Sequence, residues 1–212
     1  MRETDYTDSK ILDYIHNKSK RKVLAESKAV KHTDDAKQQG FTEEQITRGI
    51  LSGRLPYVNE ETWLFKPLEL WDGQLRMYIP AWFVPCAEHE NGFDRSTCIY
   101  TDQRAANLTF VLLPPVEEKD MDETEEIMKL AVKKEKLDAT WLSSDRQVQR
   151  DTPIRLFEFI AFVQDGIRTY NQVFLLPVGT ERNLCIGTFC CRRSTMDAWR
   201  PIVKGMINTL QY

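Results

Sequence analysis

The residues with the widest chemical repertoire are five cysteines and three histidines in a chain of 212 residues. Cys86 and His89 lie three residues apart, and Glu88 and Glu90 flank the histidine. Thiolate and imidazole at this spacing can share one metal ion, but a closed zinc site needs four ligands and no second Cys/His pair follows. The sequence favours a polar loop here. The alternative is a small-molecule or metal-dependent enzyme with its site near Cys86 and His89.

A second group of thiols, Cys185, Cys190 and Cys191, lies in a predicted strand. A nucleophilic thiol needs a base beside it, and each histidine of the chain is far from these thiols in sequence. Cysteine also packs as a small apolar residue, so the group indicates a core strand. The motifs GxGxxG, GxxxxGKS/T and HExxH are absent from the sequence. We therefore expect no catalytic residues, no bound metal and no cofactor.

The composition is that of a globular protein, with 42% hydrophobic residues, 29% charged residues and a net charge of -3. Such a charge gives no general attraction to nucleic acid, so we expect no nucleic-acid partner. No apolar run approaches the ~18 residues of a membrane span. The first ten residues are charged and unlike a secretory signal, and the odd number of cysteines is unlike a disulfide framework. These features predict a cytoplasmic protein with reduced thiols.

Residues 1–55 are predicted to form a helical extension, because they carry many charges, few aromatic residues and no strand-like run. Thr42 and Gln45 form a capping box that predicts a short helix ending near Ser52 and Gly53. A basic cluster at residues 18–22 is typical of a solvated helix face. The apolar stripe of the extension is thin, so we expect it to pack on another surface. Its members are Ile11, Leu12, Ile15, Val23 and Leu24.

Residues 62–212 are predicted to form an antiparallel sheet domain with two helices. Asp72-Gly73 joins the first two strands of a hairpin. A helix from Met121 to Leu137 is expected to turn Ile127 and Leu130 inward, and an amphipathic helix begins near Asp197 behind a cap at Ser194. The remaining strands are predicted at 97–100, 107–113, 141–150, 154–164, 167–176 and 183–191, the last four of them forming a meander.

Three phrases resemble the PsbP/DcrB-like superfamily when they are read together with this element order. They are Leu70-Trp71-Asp72-Gly73-Gln74-Leu75-Arg76-Met77-Tyr78-Ile79-Pro80, Thr188-Phe189-Cys190-Cys191 and Trp199-Arg200-Pro201. The resemblance covers residues 62–212 and implies an α+β fold, an antiparallel sheet sandwiched by helices. It also implies a non-catalytic role, since the superfamily includes photosystem accessory subunits, a small-GTPase release factor and chaperones of secreted bacterial effectors.

Several aromatic and polar residues are left over from the core periodicity and suit a partner surface, because such side chains bury a large area at small entropic cost. The leading hypothesis is a non-enzymatic adaptor or chaperone-like module that binds a protein partner. A self-associating structural module is a further hypothesis. The predicted partner-binding residues are Trp71, Trp82, Phe83, Arg168, Tyr170 and Gln172.

Overall fold

A computed structural model describes residues 41–58, 61–86, 97–102, 106–115, 117–135, 138–149, 151–162 and 166–212. The helix predicted around Ile11–Leu24 and the basic cluster at residues 18–22 lie outside the described residues. Residues 41–162 and 168–212 belong to one compact unit.

Helices and strands follow the predicted order along the described residues. The helices are α1 (Glu43–Leu51), α2 (Glu118–Glu135) and α3 (Met196–Ile207). None of these three combines the length and the apolar run that a membrane crossing requires. The strands are β1 (Arg54–Val58), β2 (Glu61–Leu70), β3 (Leu75–Pro80), β4 (Val84–Pro85), β5 (Thr97–Thr101), β6 (Asn107–Pro115), β7 (Thr140–Gln149), β8 (Thr152–Phe162), β9 (Arg168–Val178) and β10 (Asn183–Arg192).

The strands form two antiparallel sheets. A three-stranded sheet has the order β1-β2-β3, and a seven-stranded sheet has the order β4-β5-β6-β10-β9-β8-β7. The last four strands of the chain are neighbours in sequence order, which confirms the predicted meander. Strands β1 and β4 were not predicted. The five residues of β1 include Pro56 and show no alternation, and β4 has only two residues; pairing with β2 and with β5 creates them.

Local sequence signals account for the start of α1 and for the turn of the first hairpin. The Thr42 hydroxyl accepts from the Gln45 backbone N–H, and the Gln45 side chain accepts from the Thr42 N–H, so the predicted capping box is confirmed. The Asp72-Gly73 hairpin is also confirmed, with both residues at positive φ. Trp71 precedes them at a φ of 53°, a costly conformation for a bulky side chain.

The two faces of the seven-stranded sheet are covered by different elements. One face carries the main apolar core, where Ile154, Phe174 and Phe189 pack beneath α3, α1 and the three-stranded sheet. On the other face, side chains of α2 reach β7 and β8, with Glu125 bonded to Ser144 and Asp122 to Arg155. The sheet is thus sandwiched by helices, and the predicted α+β fold class is confirmed.

Helix α2 turns a different side to the sheet from the one predicted. Ile127 and Leu130 are 53% and 62% exposed, so the prediction that they point inward is wrong. Met121 and Glu125 point inward instead and are each 1% exposed. Glu125 pairs with Lys129 at 2.6 Å and accepts from the Ser144 hydroxyl at 2.7 Å. The orientation of α2 could not be predicted from apolar periodicity alone, because one of its inward residues is a carboxylate.

Helix α3 begins at Met196, next to the predicted start, but its cap differs from the prediction. A 3₁₀ turn at Arg193–Thr195 leads into the helix, and the N-cap residue Thr195 makes no side-chain capping bond. The predicted cap at Ser194 is therefore wrong. The apolar stripe of α3 is buried as predicted, including Trp199, Ile202 and Met206. Arg200 follows the buried Trp199 and therefore lies at the edge of the apolar stripe, where its side chain is partly exposed.

Candidate functional site

The most distinctive polar arrangement centres on Glu158, which is 0% exposed in strand β8. Arg200 contacts both carboxylate oxygens, with Nε donating to Oε2 at 2.9 Å and Nη2 donating to Oε1. The Ser143 hydroxyl donates to Oε1 at 2.6 Å, and the Tyr170 hydroxyl donates to Oε2 at 2.8 Å. The carboxylate is therefore held from the helix and from both neighbouring strands.

Strand register explains why these side chains meet. Glu158 pairs with Ser143 of β7 on one side and with Gln172 of β9 on the other. Alternate residues share a face of a sheet, so Tyr170 and Gln172 both lie on the face that α3 covers. The Tyr170 hydroxyl lies 3.0 Å from Gln172 Oε1, which closes the network on that side.

The charges in this network are fixed at neutral pH. Burial raises the pKa of Glu158, but hydrogen bonds from Arg200, Ser143 and Tyr170 outweigh it and lower the pKa to about 2. Burial, together with the hydrogen bond to Glu158, raises the pKa of Tyr170 well above its usual value. Glu158 is thus an ionised acceptor and Tyr170 a neutral donor. Neither group titrates near pH 7, so the network holds Arg200 in place and does not exchange protons there.

An aromatic cluster lies beside this network, around Trp199 of the same helix. The Trp199 ring centroid is 4.8 Å from that of Trp63, 5.8 Å from Phe83 and 5.0 Å from Phe189. Trp82 stacks edge-on against Trp63 at 5.1 Å and is 37% exposed. The partly exposed Trp82 indole therefore packs on a layer of buried aromatic rings.

Comparison with known proteins identifies the fold. No protein-family model and no curated protein matches the sequence. The Ran-binding protein Mog1p of Saccharomyces cerevisiae superimposes with a TM-score of 0.53 at 14% identity, over 70% of this chain and 95% of Mog1p. Cyanobacterial PsbP (CyanoP) from Synechocystis sp. PCC 6803 gives 0.52 at 10% identity, over 69% of this chain and 91% of CyanoP. The chain has a PsbP/Mog1-like fold.

On this PsbP/Mog1-like fold, the six predicted partner-binding residues fall into three groups. Trp82 and Arg168 are exposed, and the Arg168 guanidinium lies 4.4 Å from the centre of the Phe162 ring. Phe83, Tyr170 and Gln172 are buried under α3, so a partner on the outer surface does not touch them. Phe83 packs against Trp199, Tyr170 donates a hydrogen bond to Glu158, and Gln172 contacts the Tyr170 hydroxyl, so these residues support the surface from inside.

Trp71 is the sixth predicted residue. It lies at the end of the PsbP/Mog1-like fold that is opposite to Trp82 and Arg168. The turn that contains it packs its Gln74 side chain against Gly179, just beyond the end of β9. Arg168 begins β9, and the eleven residues of that strand span roughly 33 Å at ~3.3 Å per residue. Trp71 also follows the last residue of β2, whereas Trp82 contacts Trp63 near the start of that strand. The structure therefore separates Trp71 from both Trp82 and Arg168.

Sequence reasoning missed Glu158 and Arg200, although a signal was present. Glu158 is the one carboxylate within the apolar run from Leu156 to Ile160. A carboxylate at the inward phase of a core strand requires a cation and hydrogen-bond donors. No sequence pattern near Glu158 identifies Arg200 as that cation, because the two residues are 42 positions apart.

Two of the five thiols pack in the core. Cys185 and Cys191 are buried, and burial raises the pKa of each thiol, that of Cys191 to about 12. Among the described residues, no three His, Cys, Asp or Glu side chains cluster as metal ligands would. Glu88, His89 and Glu90 lie outside the described residues, so the alternative site near Cys86 stays a prediction.

Proposed function

We propose that this protein is a non-enzymatic, cytoplasmic adaptor or chaperone-like module that binds a protein partner. The partner docks on a surface that we call the α3 surface, made of Trp82, Arg168 and Arg200. The observation that carries the proposal is the rigid backing of this surface: the buried rings beneath Trp82 and the two-point contact between Glu158 and Arg200.

Rigid, partly exposed Trp and Arg side chains are the residues that dominate binding energy at protein interfaces. Trp82 is supported from below by Trp63, so its ring loses little freedom when a partner covers it. The Arg200 side chain is 39% exposed while Glu158 fixes its position. Arg168 lies two residues before Tyr170 on the same face of β9 and extends the surface along the strand.

The fold comparison supports the same class of function. Mog1p is a Ran-binding protein, and the present chain covers 95% of its length. Ran is therefore the first protein to test as a partner. At 14% identity, the likeness between the two proteins is one of fold.

The chemistry of the described residues also supports a binding role. The buried thiols of Cys185 and Cys191 have raised pKa values, opposite to what a thiolate nucleophile needs. The Glu158 carboxylate has a pKa far below neutral, which suits a structural ion pair better than a general base.

The test is a binding measurement with immobilised full chain, first against purified Ran and then against a native cell lysate with mass spectrometry. Trp82→Ala and Arg168→Ala should each weaken capture of the same protein by about tenfold or more, as truncation of a binding hot spot does. Trp71→Ala is the matched control at the other end of the fold and should leave capture unchanged. Thermal unfolding of each variant confirms that it is folded. Equal capture by all variants, or loss with Trp71→Ala alone, would refute the α3 surface.

A further inference from the structure

The outer side of α2 carries an ordered row of four exposed residues. They are Glu123, Ile127, Leu130 and Lys134, which we call the α2 ridge. At 100° per residue these side chains lie within about 60° of arc around the helix, opposite Met121 and Glu125. The ridge is therefore a continuous strip about 16 Å long, with two large apolar side chains at its centre and one charge at each end.

The spacing of the α2 ridge is symmetric about its own midpoint. The intervals along the sequence are four, three and four residues, with the acidic end at Glu123 and the basic end at Lys134. When two such helices pack antiparallel about a twofold axis between Ile127 and Leu130, the ridge meets itself. Glu123 of each copy then faces Lys134 of the other copy, and Ile127 faces Leu130.

From this self-complementarity we infer that the α2 ridge is an interface between two copies of this chain. A twofold interface uses the same patch on both subunits, so a patch must complement itself under that rotation. The ridge does so in both charge and apolar character. Within the described residues, the ion pairs of α2 involve Asp122, Glu125, Glu126 and Lys129, which leaves Glu123 and Lys134 for the other copy.

The size of the α2 ridge sets the strength of the association. A stable protein interface buries about 1,200–2,000 Å² in total, and a single pair of short helix faces buries less. The dimer is therefore concentration-dependent, in exchange with the monomer. It is also independent of the proposed partner site, because α2 covers the opposite face of the sheet from α3.

Sedimentation velocity on the full chain over a range of concentrations, up to about 1 mM, tests the association. The wild-type protein should show a monomer–dimer equilibrium. Glu123→Lys places like charges opposite each other, as does Lys134→Glu, and each should raise the dissociation constant by about tenfold. An equimolar mixture of these two variants should dimerise again, because each then supplies the charge that the other lacks. Glu181→Lys, in an exposed turn, is the matched control and should dimerise like the wild type.

The apolar centre is tested with the double variant Ile127→Gln/Leu130→Gln, which should abolish the dimer. Both side chains are exposed in the monomer, so circular dichroism and thermal unfolding of this variant should match the wild type. A wild-type chain that stays monomeric throughout, or a dimer that survives the apolar and charge variants alike, would overturn the proposal. Failure of the mixed variants to reassociate would reject the antiparallel pairing. None of these outcomes depends on whether the α3 surface binds a partner.

Discussion

Arg200 and Glu158 join helix α3 to strand β8 of the seven-stranded sheet through a two-point ion pair. The Arg200 guanidinium reaches both carboxylate oxygens of a side chain with no solvent exposure, from a helix 42 residues further along the chain. Trp199, the preceding residue, anchors the same helix turn in the aromatic cluster. Polar and apolar contacts thus fix one turn of α3, so the exposed part of the Arg200 side chain is also held in one position.

Removal of Arg200 should destabilise the protein although its side chain is partly exposed. Arg200→Met leaves the buried Glu158 without its cation, and loss of one partner of a buried pair is more costly than loss of the pair itself. We expect the free energy of unfolding to fall by about 2–3 kcal/mol, measured by urea denaturation.

Arg193→Met is the matched control for that substitution. Arg193 pairs with Asp197 at 3.8 Å in an exposed position, so its loss should change stability by less than about 0.5 kcal/mol. Adding Glu158→Gln to Arg200→Met should recover part of the lost stability, because a neutral amide no longer needs a cation. Equal effects of the two arginine substitutions would contradict the assigned role of Glu158.

The pH dependence of stability should carry the signature of Glu158. Its folded-state pKa of about 2 lies below the ordinary value of 4.5, so between these pH values the unfolded chain binds more protons than the folded one. The contribution is fully present above pH 4.5 and is lost as the pH falls toward 2. Between these limits, the wild type should lose up to about 3 kcal/mol more than Glu158→Gln. Parallel curves for the two proteins would rule out the ion pair as the cause.

Gly187 is required by the close approach of an aromatic ring from the next strand. It pairs with Phe174 across β10 and β9, and a Cβ atom at this position would lie 1.9 Å from Phe174 Cζ. Gly187→Ala should therefore reduce the free energy of unfolding by about 1–3 kcal/mol. Phe174→Leu in the same chain relieves the clash, so the two changes should be less damaging together than their separate effects predict. Additive losses in denaturation experiments would show that the ring does not pack on Gly187.

Two of the five thiols should resist alkylation in the folded protein. Cys185 and Cys191 are buried and their thiol pKa values are raised, so both access and thiolate formation are suppressed. Intact mass spectrometry after brief iodoacetamide treatment at pH 8 should find these two unlabelled. The urea-unfolded chain should take up five labels. Rapid native labelling of Cys185 would contradict its position in the core.

The sequence was sufficient for the elements whose signals are local. The capping box of Thr42 and Gln45, the Asp72-Gly73 turn and the stripe of α3 each depend on residues a few positions apart. Hydrogen bonds at a helix start, left-handed turn residues and side-chain periodicity act over that range. These signals predict the order of most strands and helices, and the resemblance that this order carries implied the fold class.

Only the tertiary structure decided which faces are covered and which polar groups are buried. Alternation places Arg168, Tyr170 and Gln172 on one face of β9, but α3 covers the latter two and leaves Arg168 exposed. Periodicity likewise located α2, yet Glu125 took the inward side, where Ser144 and Lys129 both contact its Oε1 atom. The cost of burying a charge depends on partners distant in sequence, and those partners meet only when the chain has folded.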